Sequence, residues 1–368
     1  MNKKIIWTIL VVIIIVVIIA LFGRSKPVEG TIRVAAAIPL TGNYASIGEK
    51  IKNGLEAARA DIEAKDGTKV EIVYEDACLP KEITSAVQKL INIDKITIIN
   101  QFCAVGIVPA LVITEPAKVI SVEIAANVDD LLGKQYFFSP NFAVRDNAKT
   151  IAEFAVNDLK AKKAAFIYYN TQFGKDYTKY TSARFKELGG TVVADEMTNL
   201  DVMDFKTNLA KIKVGNPDVI FVTQLTGALA TIIKQARDQG LDIPIVGNYQ
   251  NEDPTVLSAA GPAAEGFIIS SADPAILSAN YSAFRESFEE VYKVQPDVFA
   301  SNAYDALHIE VAAMKKCGND TDCIRSEIHK IKDYKGVSGT ITINADGVAV
   351  KPTVFKVVKD GKFVLYNQ

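Results

Sequence analysis

From residue 30 onward the sequence alternates short apolar runs with segments of helical period, and it does so twice. The runs 32–40, 70–74, 96–100 and 119–123 read as strands. Between them, a helix over 48–64 places Ile51, Leu55, Ala58 and Ile62 on one face. The next carries Ile83, Val87, Leu90 and Ile91, with Pro80 in the first turn, where proline is tolerated. A short helix is predicted over 109–115. After Ser139-Pro140 the pattern restarts: helix 147–159, strand 164–169, then helix 177–188 closed by Gly189-Gly190. Strands 191–195, 218–223 and 243–247 follow, separated by helices 205–213 and 228–239. A continuous apolar run such as 219–222 suits a parallel sheet covered on both faces. Two βαβα series therefore predict two doubly wound, Rossmann-like α/β lobes. No low-complexity linker separates them, so short hinges must join them. The tail differs: runs 339–344, 353–358 and 362–366, joined by Asp346-Gly347 and Asp360-Gly361, read as antiparallel strands at the edge of one lobe or both.

Residues 1–29 are of another kind. Lys3 and Lys4 precede an 18-residue apolar run, 5–22, interrupted only by Thr8. In a helix that run spans about 27 Å, close to the hydrocarbon thickness of a bilayer. A cleavable signal has a shorter apolar core, about 7–15 residues, and a small-residue cleavage site. Ala20-Leu21-Phe22-Gly23 matches such a site poorly, and no cysteine precedes Cys78 to take a lipid. An uncleaved transmembrane anchor is expected, with a cleaved signal segment as the alternative. A buried core helix is disfavoured because the run is apolar all round. Flanking charge is nearly balanced, with Lys3, Lys4 and the α-amino group against Arg24 and Lys26. Four cysteines behind an export segment fit an oxidising exterior, which places the remainder outside the cytoplasm.

Charge and motif content exclude several classes. Overall, 41 basic side chains face 43 acidic ones, but residues 1–26 hold four basic groups and no acid. The rest therefore carries 37 against 43 and has no basic field for nucleic acid. Two histidines, His308 and His329, and no Cys-x-x-Cys argue against a metal site. His308 lies in a helical run with Leu307 and Val311 and reads as structural. No phosphate-binding glycine motif and no Gly-x-Ser-x-Gly elbow occurs, so neither a dehydrogenase nor a hydrolase is expected, and no cofactor. In open α/β sheets, ligands bind beyond the carboxyl ends of the strands. Here those ends are 41–47, 100–106, 123–127, 170–173, 224–226 and 249–251, rich in small, amide and aromatic residues that suit a pocket for a small molecule.

Several ordered motifs give these segments a family. Ala37-Ile38-Pro39-Leu40-Thr41-Gly42 and Tyr44-Ala45-Ser46-Ile47-Gly48-Glu49 are followed by Tyr74-Glu75-Asp76-Ala77-Cys78, Phe173-Gly174 and Asp204-Phe205. Pro217-Asp218, Lys234-Gln235-Ala236-Arg237, Ala264-Glu265-Gly266 and Tyr304-Asp305-Ala306 complete the series. Over roughly 31–366 the chain resembles the leucine/isoleucine/valine-binding proteins of ABC importers, which are type I periplasmic binding proteins. The resemblance implies two lobes closing over a solute, joined by a three-stranded hinge near 140–145, 271–274 and 350–353. Lobe 1 would comprise 30–144 and 273–350, and lobe 2 145–272 and 351–368. It implies a monomer that presents its solute to a membrane permease. It also pairs Cys78 with Cys103, leaving Cys317 and Cys323 to pair locally. The larger loop is worth about 3–4 kcal/mol in the chain-entropy model.

The binding positions depart from the family. Amino-acid binders hold the α-carboxylate with hydroxyl side chains and backbone N–H groups, and the α-ammonium with an acid. By alignment the hydroxyl positions hold Ala104 and Ala125, the acid position holds Tyr249, wall positions hold Phe173 and Leu225, and Ile47 stands where an aromatic is common. A buried zwitterion without charged partners loses several kcal/mol, against the roughly −8 kcal/mol of micromolar binding. Three readings are open. The ligand is less charged and more apolar, contacted by Tyr44, Phe173, Tyr249, Gln101, Gln224 and Gln250, with Phe102 and Val105 beside them. Alternatively Glu123 turns inward as the ammonium's partner, or stays a solvated strand-end residue beside a degenerate cleft. A receptor module that signals by the same closure is the alternative to transport.

Overall fold

The computed structural model describes residues 30–366 apart from Ala126. Expectations for 1–29, the anchor included, lie outside the described residues; among those described, no helix is long and apolar enough to cross a membrane.

Strand β1 (Ile32–Ile38) buries every residue but Arg33, sending Val34, Ala36 and Ile38 into one apolar cluster and Ala35 and Ala37 into another. Such a strand needs cover on both faces and neighbours on both edges. β2 (Val70–Asp76) and β3 (Ile98–Gln101) flank it, and β4 (Ile120–Glu123) and β5 (Phe137–Phe138) extend the sheet in the order β2-β1-β3-β4-β5, all parallel. The second sheet repeats that arrangement with β6 (Lys163–Tyr169), β7 (Thr191–Thr198), β8 (Val219–Thr223), β9 (Ile245–Gly247) and β10 (Ile268–Ser271), in the order β7-β6-β8-β9-β10. The tail serves both sheets. β11 (Tyr334–Lys335), β12 (Thr340–Ile343) and β13 (Ala349–Val350) form an antiparallel sheet that meets the end of β5 through a Ser139–Val348 bridge. β14 (Val354–Lys359) and β15 (Lys362–Leu365) add antiparallel to β10. The chain thus passes between the two large sheets three times, at 139–143, 272–274 and 351–353.

Two helices begin about five residues earlier than their periodicity predicts. Ala104–Thr114 encloses Pro109, and because almost every residue is apolar the sequence shows no period to mark its start. Gln172–Glu187 is capped by the Thr171 hydroxyl, which accepts from Gly174 N at 3.3 Å. Helices Tyr281–Tyr292 and Thr321–His329, and most of Val298–Cys317, had no sequence expectation. The last of these mixes apolar residues with wholly buried Ser301, Asn302, Asp305 and Glu310, which blurs its apolar stripe. It packs on helix Ala45–Asp66 so closely that a Cβ on Gly54 would stand 2.2 Å from the Ala300 carbonyl oxygen. Disulfides join Cys78 to Cys103, tying the segments after β2 and β3, and Cys317 to Cys323.

Glu310 lies against β3, its Oε2 accepting from Asn100 Nδ2 at 3.0 Å. Burial pushes its pKa up from 4.5 to about 7. The folded chain therefore holds this proton more tightly than the unfolded one. Its stabilising effect is full below pH 4.5 and is lost as pH rises toward 7. Glu310→Gln, which keeps a neutral group there, is expected to raise unfolding stability at pH 8 by on the order of 3 kcal/mol and to flatten its decline between pH 5 and 7. Urea denaturation of both proteins across that range measures it.

Candidate ligand-binding cleft

In both sheets the strand order reverses beside the first strand, between β1 and β3 and between β6 and β8. The loops leaving the strands at such a point diverge and open a crevice. The first sheet contributes Tyr44, Phe102, Glu123 and Ala125; the second contributes Tyr169, Phe173, Gln224 and the segment carrying Tyr249. The two sets meet. One continuous buried apolar cluster contains Phe102, Ala125 and Phe142 together with Tyr169, Phe173, Tyr177 and Tyr249.

Tyr249 is the main link. Its ring is 2% exposed and stands edge-on to Phe142, centroids 4.9 Å apart. Its hydroxyl donates to the Ala125 carbonyl at 2.5 Å, and Asn141 Nδ2 donates to the same oxygen at 2.7 Å. Burial, then the negative Glu123, drive its pKa well above the ordinary tyrosine range. Burial likewise raises Tyr169, with Tyr44 adding to it, and raises Tyr177, with Tyr249 and Tyr169 adding. Four phenols thus converge here, all un-ionised at neutral pH. Phe173 stands between two of them, 4.9 Å from Tyr177 and 6.3 Å from Tyr169, while Tyr44 lies 6.1 Å from Phe102.

Glu123 is not a solvated strand-end residue: it is wholly buried, and its Oε1 accepts from Ala125 N at 2.8 Å. A carboxylate emerging from β4 can reach the second amide beyond it, and that local bond directs this oxygen to its own loop. Gln101, its neighbour in register on β3, is also wholly buried, and neither side-chain amide atom has a hydrogen-bond partner. Gln224 donates from Nε2 to Thr198 Oγ1 at 2.8 Å, within its own sheet. Ala104 opens its helix. Ile47 and Gln250 are partly buried, whereas Val105 and Leu225 are 54% and 39% exposed and lie at the rim. Sequence reasoning missed Tyr169 and Tyr177, although each marked an end of a predicted element, and missed Asn141 and Phe142, which fell inside a predicted hinge. A second link between the sheets runs from Asp129, whose carboxylate meets the Tyr180 hydroxyl and Lys179, and whose N–H donates to Asp176 Oδ2 at 3.2 Å. Among the described residues, no cluster of His, Cys, Asp and Glu could hold a metal ion.

Comparison with known proteins agrees with this arrangement. A family model described as periplasmic binding protein matches residues 31–362. A Leu/Ile/Val-binding protein homolog from Brucella abortus is 25% identical over 344 residues, 91% of this chain and 92% of its own. The Leu/Ile/Val-binding protein of Citrobacter freundii is 27% identical over 248 residues, 65% of this chain and 66% of its own, just under two thirds. Among solved structures, a branched-chain amino acid transporter substrate-binding protein from Streptococcus pneumoniae, in complex with isoleucine, aligns with TM-score 0.82 and 26% identity over 91% of this chain and 98% of that one. A solute-binding protein of an ABC transporter from Rhodopseudomonas palustris, in complex with 3,4-dihydroxybenzoic acid, aligns with TM-score 0.78 and 26% identity over 90% and 95%. The chain belongs to the periplasmic binding proteins, as a type I member of the branched-chain amino-acid-binding family.

Proposed function

We propose that this chain is the extracytoplasmic solute-binding component of an ABC importer, with residues 1–29 as its membrane anchor or signal segment. Lobes 30–144 with 273–350, and 145–272 with 351–368, close on a small organic solute and present it to a membrane permease. The ligand has an apolar or aromatic body and no α-ammonium group. The observation that carries this reading is Tyr249. At the position aligned with the family's ammonium-holding acid stands a buried phenol, hydrogen-bonded across the cleft and surrounded by Phe142, Tyr169, Phe173 and Tyr177. Such a wall favours stacking on an apolar or aromatic body, and at this position it offers no carboxylate to pair with an ammonium. The Rhodopseudomonas palustris relative, solved with an aromatic acid, supports the same class. Closure removes water and strengthens each polar contact to the solute.

Calorimetric titration of the detergent-solubilised chain with leucine, isoleucine, valine, benzoate and 3,4-dihydroxybenzoate tests the ligand class. Saturable binding of an aromatic acid and none of the three amino acids is expected. Micromolar binding of an amino acid that Glu123→Gln abolishes would show the reverse. Tyrosine absorbance is the optical reporter, because the single tryptophan, Trp7, lies outside the binding fold.

Gln101 gives a second prediction. A buried amide without partners costs about 1–3 kcal/mol, and an apolar group of similar size removes that cost. Gln101→Leu is therefore expected to leave unliganded stability unchanged or about 1 kcal/mol higher, while weakening the solute that binds in the titration about tenfold. Thermal unfolding and calorimetry on the same variant check both halves.

A further inference from the structure

Lys351 sits where the chain makes its third passage between the sheets, yet it is only 9% exposed. Its Nζ donates to Ser338 Oγ at 2.6 Å and to Asn302 Oδ1 at 3.0 Å. Asn302, wholly buried on helix Val298–Cys317, donates from Nδ2 to the Ile124 carbonyl at 3.1 Å. Ile124 adjoins Ala125, whose carbonyl accepts the Tyr249 hydroxyl. A hydrogen-bonded path thus runs from the third passage to the cleft loop and across to the second sheet.

The countercharge is Asp305, also wholly buried, whose carboxylate accepts from Val337 N and Ser338 N at 2.8 Å each and from Ser338 Oγ at 2.5 Å. Gly336 leaves it room: a Cβ there would stand 2.3 Å from Asp305 Oδ2. An ammonium group is expensive to bury, and replacing the whole Lys351–Asp305 pair by apolar side chains would avoid that cost, whereas removing the lysine alone strands the carboxylate. What the lysine adds is direction, because its donors fix the passage against two separate segments at once.

We infer that Lys351 is a positioning residue for the cleft, holding the loop of Ile124 and Ala125 in place through Asn302 and linking that loop to the hinge strand. This rests on the cleft reading above for its functional meaning, but the links themselves exist without any solute. A change in the angle of the third passage moves Lys351, and with it the carbonyl that Tyr249 engages.

The test uses the full chain in detergent, without added solute, so that a wrong choice of solute leaves it untouched. Ile124 N donates to Gln101 O and Ala125 N to Glu123 Oε1, so both amides are protected from exchange. In Lys351→Met their hydrogen exchange is expected to quicken about tenfold or more, with the amides of β8 unchanged. Tyr249→Phe is expected to lower the melting temperature of the parent, and to lower it by less than half as much in the Lys351→Met background, because distant independent sites would simply add. Asn302→Ala interrupts the same path from its middle and serves if the lysine variant does not fold. Unchanged exchange at Ile124 and Ala125, equal acceleration in β8, or additive melting shifts would each overturn the inference.

Discussion

A parallel sheet buried on both faces has only its strand ends free for polar chemistry, and this chain builds two such sheets and sets those ends against each other. The constraint shows in the burial of β1 and in the seven-stranded sheet, where β8 is buried throughout. Polar groups that must leave the solvent gather instead where strands stop: Gln101 and Glu123 on one side, Thr198, Gln224 and Asn251 on the other. Carbonyls with a second acceptor site become the meeting points, above all that of Ala125, which takes two donors from different elements.

The sheets were legible because their central strands, such as β1 and β8, are continuous apolar runs and several of their helices carry a clear stripe. The strand order was not legible, and of the strand ends named from sequence Phe102, Ala125, Phe173 and Tyr249 share the buried cluster that spans both sheets. The helices that resisted reading explain themselves. Ala104–Thr114 is apolar nearly all round, and Val298–Cys317 interrupts its stripe with four wholly buried polar residues, of which Asn302, Asp305 and Glu310 bond to remote segments, Glu310 to Asn100 about 200 positions away. No local pattern encodes a partner at that distance. The cleft was half visible for the same reason: Tyr44, Phe102, Phe173 and Tyr249 stand beside predicted strand ends, whereas Asn141 and Asn302 each donate to a backbone carbonyl of a remote segment.

Family resemblance and local chemistry contributed different things. The resemblance supplied the cysteine pairing, which the structure contains. The departures from the family pattern direct attention to ligand class. Around Ala125 the polar groups are un-ionised phenols and amides and one carboxylate whose Oε1 is bound to its own loop.

The three passages also have a consequence for the order in which the molecule can form. The β1 face that carries Val34, Ala36 and Ile38 lies in the same apolar cluster as Ala303, Ala306 and Leu307 of helix Val298–Cys317. Part of that face's cover therefore comes from residues more than 260 positions further along, beside Ile51, Leu55 and Ala58 of the nearby helix Ala45–Asp66. The second sheet is likewise completed by β14 and β15, which follow the third passage. Completing the packing on β1 and the edge of the second sheet therefore needs contacts between segments far apart in sequence, which slows folding.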